Sequence, residues 1–366
     1  MMIAFRTPLC FTVGLWALGC APEPLVEAGP TGVPVLGGGE HDAAAVRVEE
    51  LLSAADGLAL PRDLDLNPSD PTELWVLNRR NDSMLIAFDV GTEGQTTSLR
   101  NAPGNTHFMP EGSAFAFGKD GTFATAHEED TLTQGPGGTP ADFMGPTLWD
   151  TDEMYFDGGH PTHLDMLHNS PNAMGIAWEQ GNAYWVFDGF HGSITRYDFV
   201  EDHGYGGEDH SDGIIQRYVE GQVQRVEDVP SHMELDHDTG LLYIADTGNN
   251  RVAVLDTKTG SRGSFLFPNY DGAEQYAMNE AVLTTLIDGA ENFHGKPSGI
   301  ALHDGMLFVG DYATGEVVAY TLEGELVDYL STGLEGSLMG IAFDDEGRLY
   351  AVDSAGERVL RYSPRK

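Results

Sequence analysis

The chain has 366 residues, with 58 acidic side chains against 19 basic ones and a formal net charge of −39. A field of that sign repels phosphate backbones and anionic head-groups, which excludes nucleic acid as a partner and polybasic docking to a membrane. Two cysteines rule out a disulfide scaffold or a thiolate metal cluster, while 46 glycines, 19 prolines and 41% hydrophobic residues suit a turn-rich all-β fold with a large core.

Residues 1–20 read MMIAFRTPLCFTVGLWALGC, one positive charge (Arg6) followed by an apolar stretch and small residues. This is the pattern of a secretory signal, too short for a membrane-spanning helix. The run Ala17-Leu18-Gly19-Cys20 resembles a bacterial lipobox, with Ala17 where that pattern usually has Leu. The resemblance implies a signal peptide over 1–19, acylation of Cys20, and anchoring to the outer membrane on its periplasmic or surface side, since Ala21 follows the cysteine. Ordinary cleavage near Gly19, leaving Cys20 free, is the alternative. Residues 20–43 are rich in Pro and Gly and are expected to form a flexible tether, with one folded domain over 44–366.

From there the chain repeats itself. KPSGIALHDGMLFVGDYATGEVVAY (296–320) parallels GSLMGIAFDDEGRLYAVDSAGERVLRY (336–362), and NAMGIAWEQGNAYWVFDGFHGSITRY (172–197) parallels SHMELDHDTGLLYIADTGNNRVAVLD (231–256). Weaker copies begin at Pro61 and Pro110. Each copy is a short apolar strand, a tight turn, an alternating strand ending in Asp, a Gly/Asn loop and a third strand. Six such units of four antiparallel strands predict a propeller. The segment Leu241-Leu242-Tyr243-Ile244-Ala245-Asp246-Thr247-Gly248-Asn249-Asn250-Arg251-Val252 resembles the NHL repeat, which implies a six-bladed β-propeller over about 57–363. The last copy has only three strands, and VRVEELLSAADGL (46–58) matches the fourth strand GELVDYLSTGL (324–334) of the copy before it. Residues 46–53 are therefore expected to supply the missing outer strand of the last blade, with a short amphipathic helix over 44–54 as the alternative.

Strand parity sorts the loops onto two faces: the top, where inner strands begin, and the bottom, where they end. Eight of the thirteen histidines fall on the top, including His160 and His163 in inter-blade loops. His107, His168 and His294 each stand three residues before the Pro that opens an inner strand. Around the expected channel mouth stand Arg62, Glu111, Asn172, His232 and Ser298, a set suited to a small ligand. Glu111, Asn172 and His232 could hold a divalent metal such as zinc, and the top-face metal set comprises His107, His168, His232, His294 and Glu111. Glu111-Gly112 and Pro171-Asn172 are similar to two metal-ligand turns of the gluconolactonase-like (regucalcin) propellers, although no third turn of that kind is present. Pro230-Ser231-His232 is similar to the zinc-histidine pattern of peptidyl-hydroxyglycine amidating lyases, with one residue inserted. On the bottom, the loop 202–213 concentrates Asp202, His203, Asp209, His210 and Asp212, donors that could surround calcium.

Three functions follow as alternatives. The first is a monomeric, lipid-anchored propeller binding a small molecule or divalent metal on its His-rich face. A metal-dependent lyase or lactonase at the channel mouth is the second, and a cell-surface scaffold for a protein partner the third.

Overall fold

The computed structural model describes residues 32–101, 109–118, 121–130, 143–152, 163–292 and 295–365. The leader, Cys20, His107, His160 and His294 lie outside these residues. Among the described residues there is no α-helix, and no helix long and apolar enough to cross a membrane.

Strand β1 (Val46–Leu52) precedes blade 1, which is β2 (Pro61–Leu66), β3 (Leu74–Asn78), β4 (Ser83–Phe88) and β5 (Thr96–Arg100). Blade 2 is β6 (Gly112–Phe117), β7 (Thr122–His127), β8 (Thr147–Asp150) and β9 (His163–Met166). Blade 3 begins with β10 (Ala173–Gln180), β11 (Ala183–Asp188), β12 (Ser193–Asp198) and β13 (Ile214–Tyr218). Blade 4 comprises β14 (Met233–Asp236), β15 (Leu241–Asp246), β16 (Arg251–Asp256) and, after an inserted hairpin β17 (Ser261–Phe265) and β18 (Glu274–Asn279), β19 (Val282–Asp288). Blade 5 is β20 (Pro297–His303), β21 (Met306–Asp311), β22 (Glu316–Thr321) and β23 (Leu326–Ser331). Finally β24 (Leu338–Phe343), β25 (Leu349–Asp353) and β26 (Arg358–Pro364) form blade 6, with β1 pairing antiparallel to β26 as its outer strand.

The molecule is thus an all-β, six-bladed propeller, closed by the N-terminal strand as its sequence similarity to β23 requires. Closure leaves no unpaired edge at β26, where an open blade would offer a template for association.

Six hydrophobic clusters, each between two neighbouring blades, hold the ring together. Trp75, Trp149 and Trp185 are fully buried in them, and burial of a side chain of that kind is worth roughly 1.5–3 kcal/mol or more. The glycine of the repeated Gly-Ile-Ala triplet has a steric cause. A Cβ at Gly175 would lie 2.0 Å from the Ser231 carbonyl oxygen of the next blade, and one at Gly299 would lie 2.2 Å from that of Met339. At these two positions the inner strand of the next blade approaches too closely for a side chain. At the end of the second strand, Asp188, Asp246, Asp311 and Asp353 accept backbone N–H groups of neighbouring turns, including Phe190 and His191 at Asp188.

Two expectations need correction. Blade 3 has six strands, because β18 leaves blade 4 and pairs in parallel with β13. The hairpin thereby covers the edge that the repeat would have left exposed. Residues 33–41, read as part of a flexible tether, lie against blade 5: Val33, Val35 and Leu36 are buried, Asp328 accepts the amides of Val33 (2.7 Å) and Gly39 (3.1 Å), and His41 stacks on Tyr329. Their apolar side chains gain more from that core than from water.

Candidate functional site

All six inner strands line an axial cavity of about 490 Å3. Aligning them by their pairing to the second strands shows two levels that four blades fill with small residues. At the upper level stand Ala114, Gly175, Gly299 and Gly340, but blade 1 carries Asp63 and blade 4 carries His232. One step below, Ala116, Ala177, Ala301 and Ala342 give way to Asp65 in blade 1 and Glu234 in blade 4. Blades 1 and 4 face each other across a ring of six, so the small residues of the other blades make room for three carboxyls and an imidazole.

Asp63 is held by its neighbours: Oδ2 accepts the Phe115 amide of blade 2 (3.0 Å) and Oδ1 the Leu64 amide (2.9 Å). His232 places Nε2 3.3 Å from the Ser113 carbonyl and 3.7 Å from Asp63 Oδ1. Burial raises the Asp63 carboxyl, against the opposing pull of His232 and the two amides. Asp65 is pushed up to about 7, first by burial and further by Asp63, although the Leu66 amide lowers it. Glu234 is pushed up to about 8 by burial, with Asp65 and Asp63 adding to it. Asp65 and Glu234, raised this far, hold protons near neutral pH and release them when a positive group arrives.

The top end is shut. Arg62, almost wholly buried, donates from Nη1 to the Asp228 carbonyl (2.5 Å) and lies 3.0 Å from Met339 Sδ. Around it Arg79 pairs with Glu111 (2.7 Å) and Asp228 (2.9 Å), while Glu128 receives Arg225 (2.7 Å) and the Asp228 amide (2.9 Å). Burial pushes the Glu128 carboxyl up, and its amide and arginine partners pull it back. Access is from the bottom, where the cavity reaches exposed Asp304 and Asp345 and is flanked by Trp178, Phe117, Phe343, His237 and His303. His303 stacks on Phe343 at 4.5 Å between ring centroids.

The sequence-derived set is therefore dispersed. Arg62 plugs the channel, Glu111 is tied to Arg79, Asn172 donates to Asp130 (3.0 Å), and Ser298 donates to the Leu338 carbonyl (3.0 Å) between blades. Of the four histidines in the expected top-face metal set, His232 and His168 are among the described residues. His232 stands in the channel, whereas His168 pairs with Asp271 of the inserted hairpin (2.5 Å) at the outer rim. His163 opens the outer strand β9 and approaches the Gly207 carbonyl (3.2 Å), so it belongs to the bottom rather than to an inter-blade loop. The long connection between β8 and β9 displaced that reading.

Asp63, Asp65 and Glu234 escaped the sequence reading. Their signal was present: the copies PRDLDL and SHMELD break the Gly-Ile-Ala rule at the two positions where a larger side chain must point into shared space.

No protein-family model matches this sequence, and no curated protein matches it. Solved structures do. An auxiliary nutrient binding protein from Bacteroides ovatus superposes with a TM-score of 0.56 at 13% identity, over 88% of this chain and 77% of that one. Virginiamycin B lyase from Staphylococcus aureus gives 0.51 at 11% identity, over 87% and 99% of the two chains. A luciferin-regenerating enzyme gives 0.53 at 12%, over 87% and 95%. At these identities the likeness shows the propeller fold.

Proposed function

We propose that this chain is an exported, NHL-type propeller that binds a small organic cation in its axial cavity, and that acyl groups on Cys20 hold it at the outer membrane. The observation that carries the reading is the replacement of small residues by Asp63, Asp65 and Glu234 at opposed blades of a cavity whose mouth is itself acidic. Asp304 and Asp345 at the entrance focus positive charge inward, and Trp178, Phe117 and Phe343 offer aromatic faces suited to an ammonium group. Arg62 closes the far end, so the ligand enters and leaves by the bottom. The similar nutrient-binding propeller is in keeping with a binding role for this fold.

Calorimetric titration with choline, ethanolamine and a short diamine tests the reading. Saturable binding of at least one of them, weakened at least tenfold in the Asp65→Asn/Glu234→Gln double variant, is the expected result. Absence of binding by every cation, or binding that survives the double substitution, refutes it.

A second reading has one observation in its favour. Asp65 near 7 and Glu234 near 8, below an Asp63–His232 pair, are placed for general acid–base work near neutrality. A lyase or lactonase acting at this level would turn over its bound ligand, which product analysis after overnight incubation with a cyclic ester panel distinguishes from simple binding.

A further inference from the structure

A second cluster of donors lies at the rim, away from the channel, where the loop 199–213 between β12 and β13 of blade 3 folds across the outer strand β9 of blade 2. Donor atoms of Asp165, His203 and Asp212 all lie within 4.8 Å of one another, and among the described residues no other group of three such side chains does so. His203 Nε2 and Asp212 Oδ1 are 2.9 Å apart. Asp165 is fully buried. Its Oδ1 already accepts from His210 Nδ1 (2.5 Å) and from the Met166 amide (2.6 Å), whereas Oδ2 is buried with no hydrogen-bond partner. A buried carboxylate oxygen without a donor costs roughly 1–3 kcal/mol, and no side chain of the loop supplies that donor.

We propose that Asp165, His203 and Asp212 form a zinc-class metal site that clamps the blade 3 loop onto the outer strand of blade 2. One imidazole nitrogen and two carboxylates, with water completing a tetrahedron, match the donors zinc takes at about 2.0–2.2 Å. Small side-chain shifts bring donors at the present spacing to that distance. Calcium would ask for six to eight oxygens, and this site offers a nitrogen in place of one of them. His210 is a positioning residue: its hydrogen bond to Oδ1 turns Oδ2 toward the metal. The sequence reading gave Asp202, His203, Asp209, His210 and Asp212 to calcium. The fold keeps His203 and Asp212 as donors and brings in Asp165 from another blade. Asp202 and Asp209 are spent on local turns, accepting the amides of Gly204 (3.0 Å) and Ser211 (3.1 Å). The ion neutralises two carboxylates in a strongly acidic chain and ties a Gly-rich loop to the ring.

The test is titration of the chelator-stripped, full-length protein with zinc chloride, and in parallel with calcium chloride, by calorimetry. One zinc per chain, a rise in Tm and slower proteolysis within 199–213 are expected. His203→Ala and Asp212→Asn, both at part-exposed loop positions, each weaken zinc binding at least tenfold and abolish the zinc-dependent rise measured from that variant's own metal-free Tm. His210→Ala weakens it by about 10–100-fold. Absence of saturable zinc uptake, uptake indifferent to His203→Ala, or tighter binding of calcium than of zinc overturns the proposal.

Discussion

Replacing Glu234 by Gln should stabilise the protein in alkali and leave it unchanged in acid. An unfolded glutamate titrates near 4.5, and in the channel Glu234 is pushed up to about 8. Between those values the folded chain keeps a proton that the unfolded chain has lost. The stability this group contributes is therefore complete below about pH 4.5 and is lost as pH rises through about 8. Full titration across that gap sets a ceiling of about 5 kcal/mol. Glu234 is half-buried beside a cavity open to solvent, and an effective dielectric nearer 20 than 4 reduces the cost to about 1–3 kcal/mol. Glu234→Gln keeps the shape and removes the charge. Urea unfolding should show a gain of about 1–3 kcal/mol at about pH 9 and less than about 0.5 kcal/mol at about pH 4. An equal change at both pH values would place the effect in packing rather than ionisation, and destabilisation at pH 9 would refute the electrostatic reasoning outright. A bound cation should reverse the sign of the advantage, since the wild-type carboxylate then has a partner.

Other changes reach the frame and the plug. Gly175→Ala forces a methyl group against the Ser231 carbonyl, 2.0 Å away, and should lower stability by about 1–3 kcal/mol or more in thermal unfolding. Ala177→Gly, one level below and free of that contact, should cost only about 1 kcal/mol. Glu128→Gln removes the carboxylate that receives Arg225, while Arg79 keeps Glu111 and Asp228, and should cost about 1.5–3 kcal/mol by urea unfolding. Removal of residues 32–52 strips β1 from β26; the truncated chain should elute as oligomers or aggregate in size-exclusion chromatography, and a stable monomer would contradict the closure.

The ring and its closure were legible because they depend on local pattern. Alternating apolar strands, tight turns and a repeated Gly-Ile-Ala triplet are written in each copy separately, and the kinship of 46–58 with 324–334 identified the missing strand. The hairpin over 261–279 was not legible, since its partner β13 lies in another blade and no repeat describes it. The candidate site was only partly so. His232 was picked out for its chemistry, but its neighbours Asp63 and Asp65 come from the opposite side of the ring.

Sequence by itself determined the charge, the turn-rich all-β character and the number of modules, because strand period and turn chemistry act over a few residues. Only the tertiary structure decided which side chains meet. Closing six blades around an axis joins positions 63 and 234 across a cavity, seals its upper end with Arg62, and carries His168 out to the rim beside Asp271. Those meetings depend on distances between strands far apart in the chain, which strand period and turn chemistry do not encode.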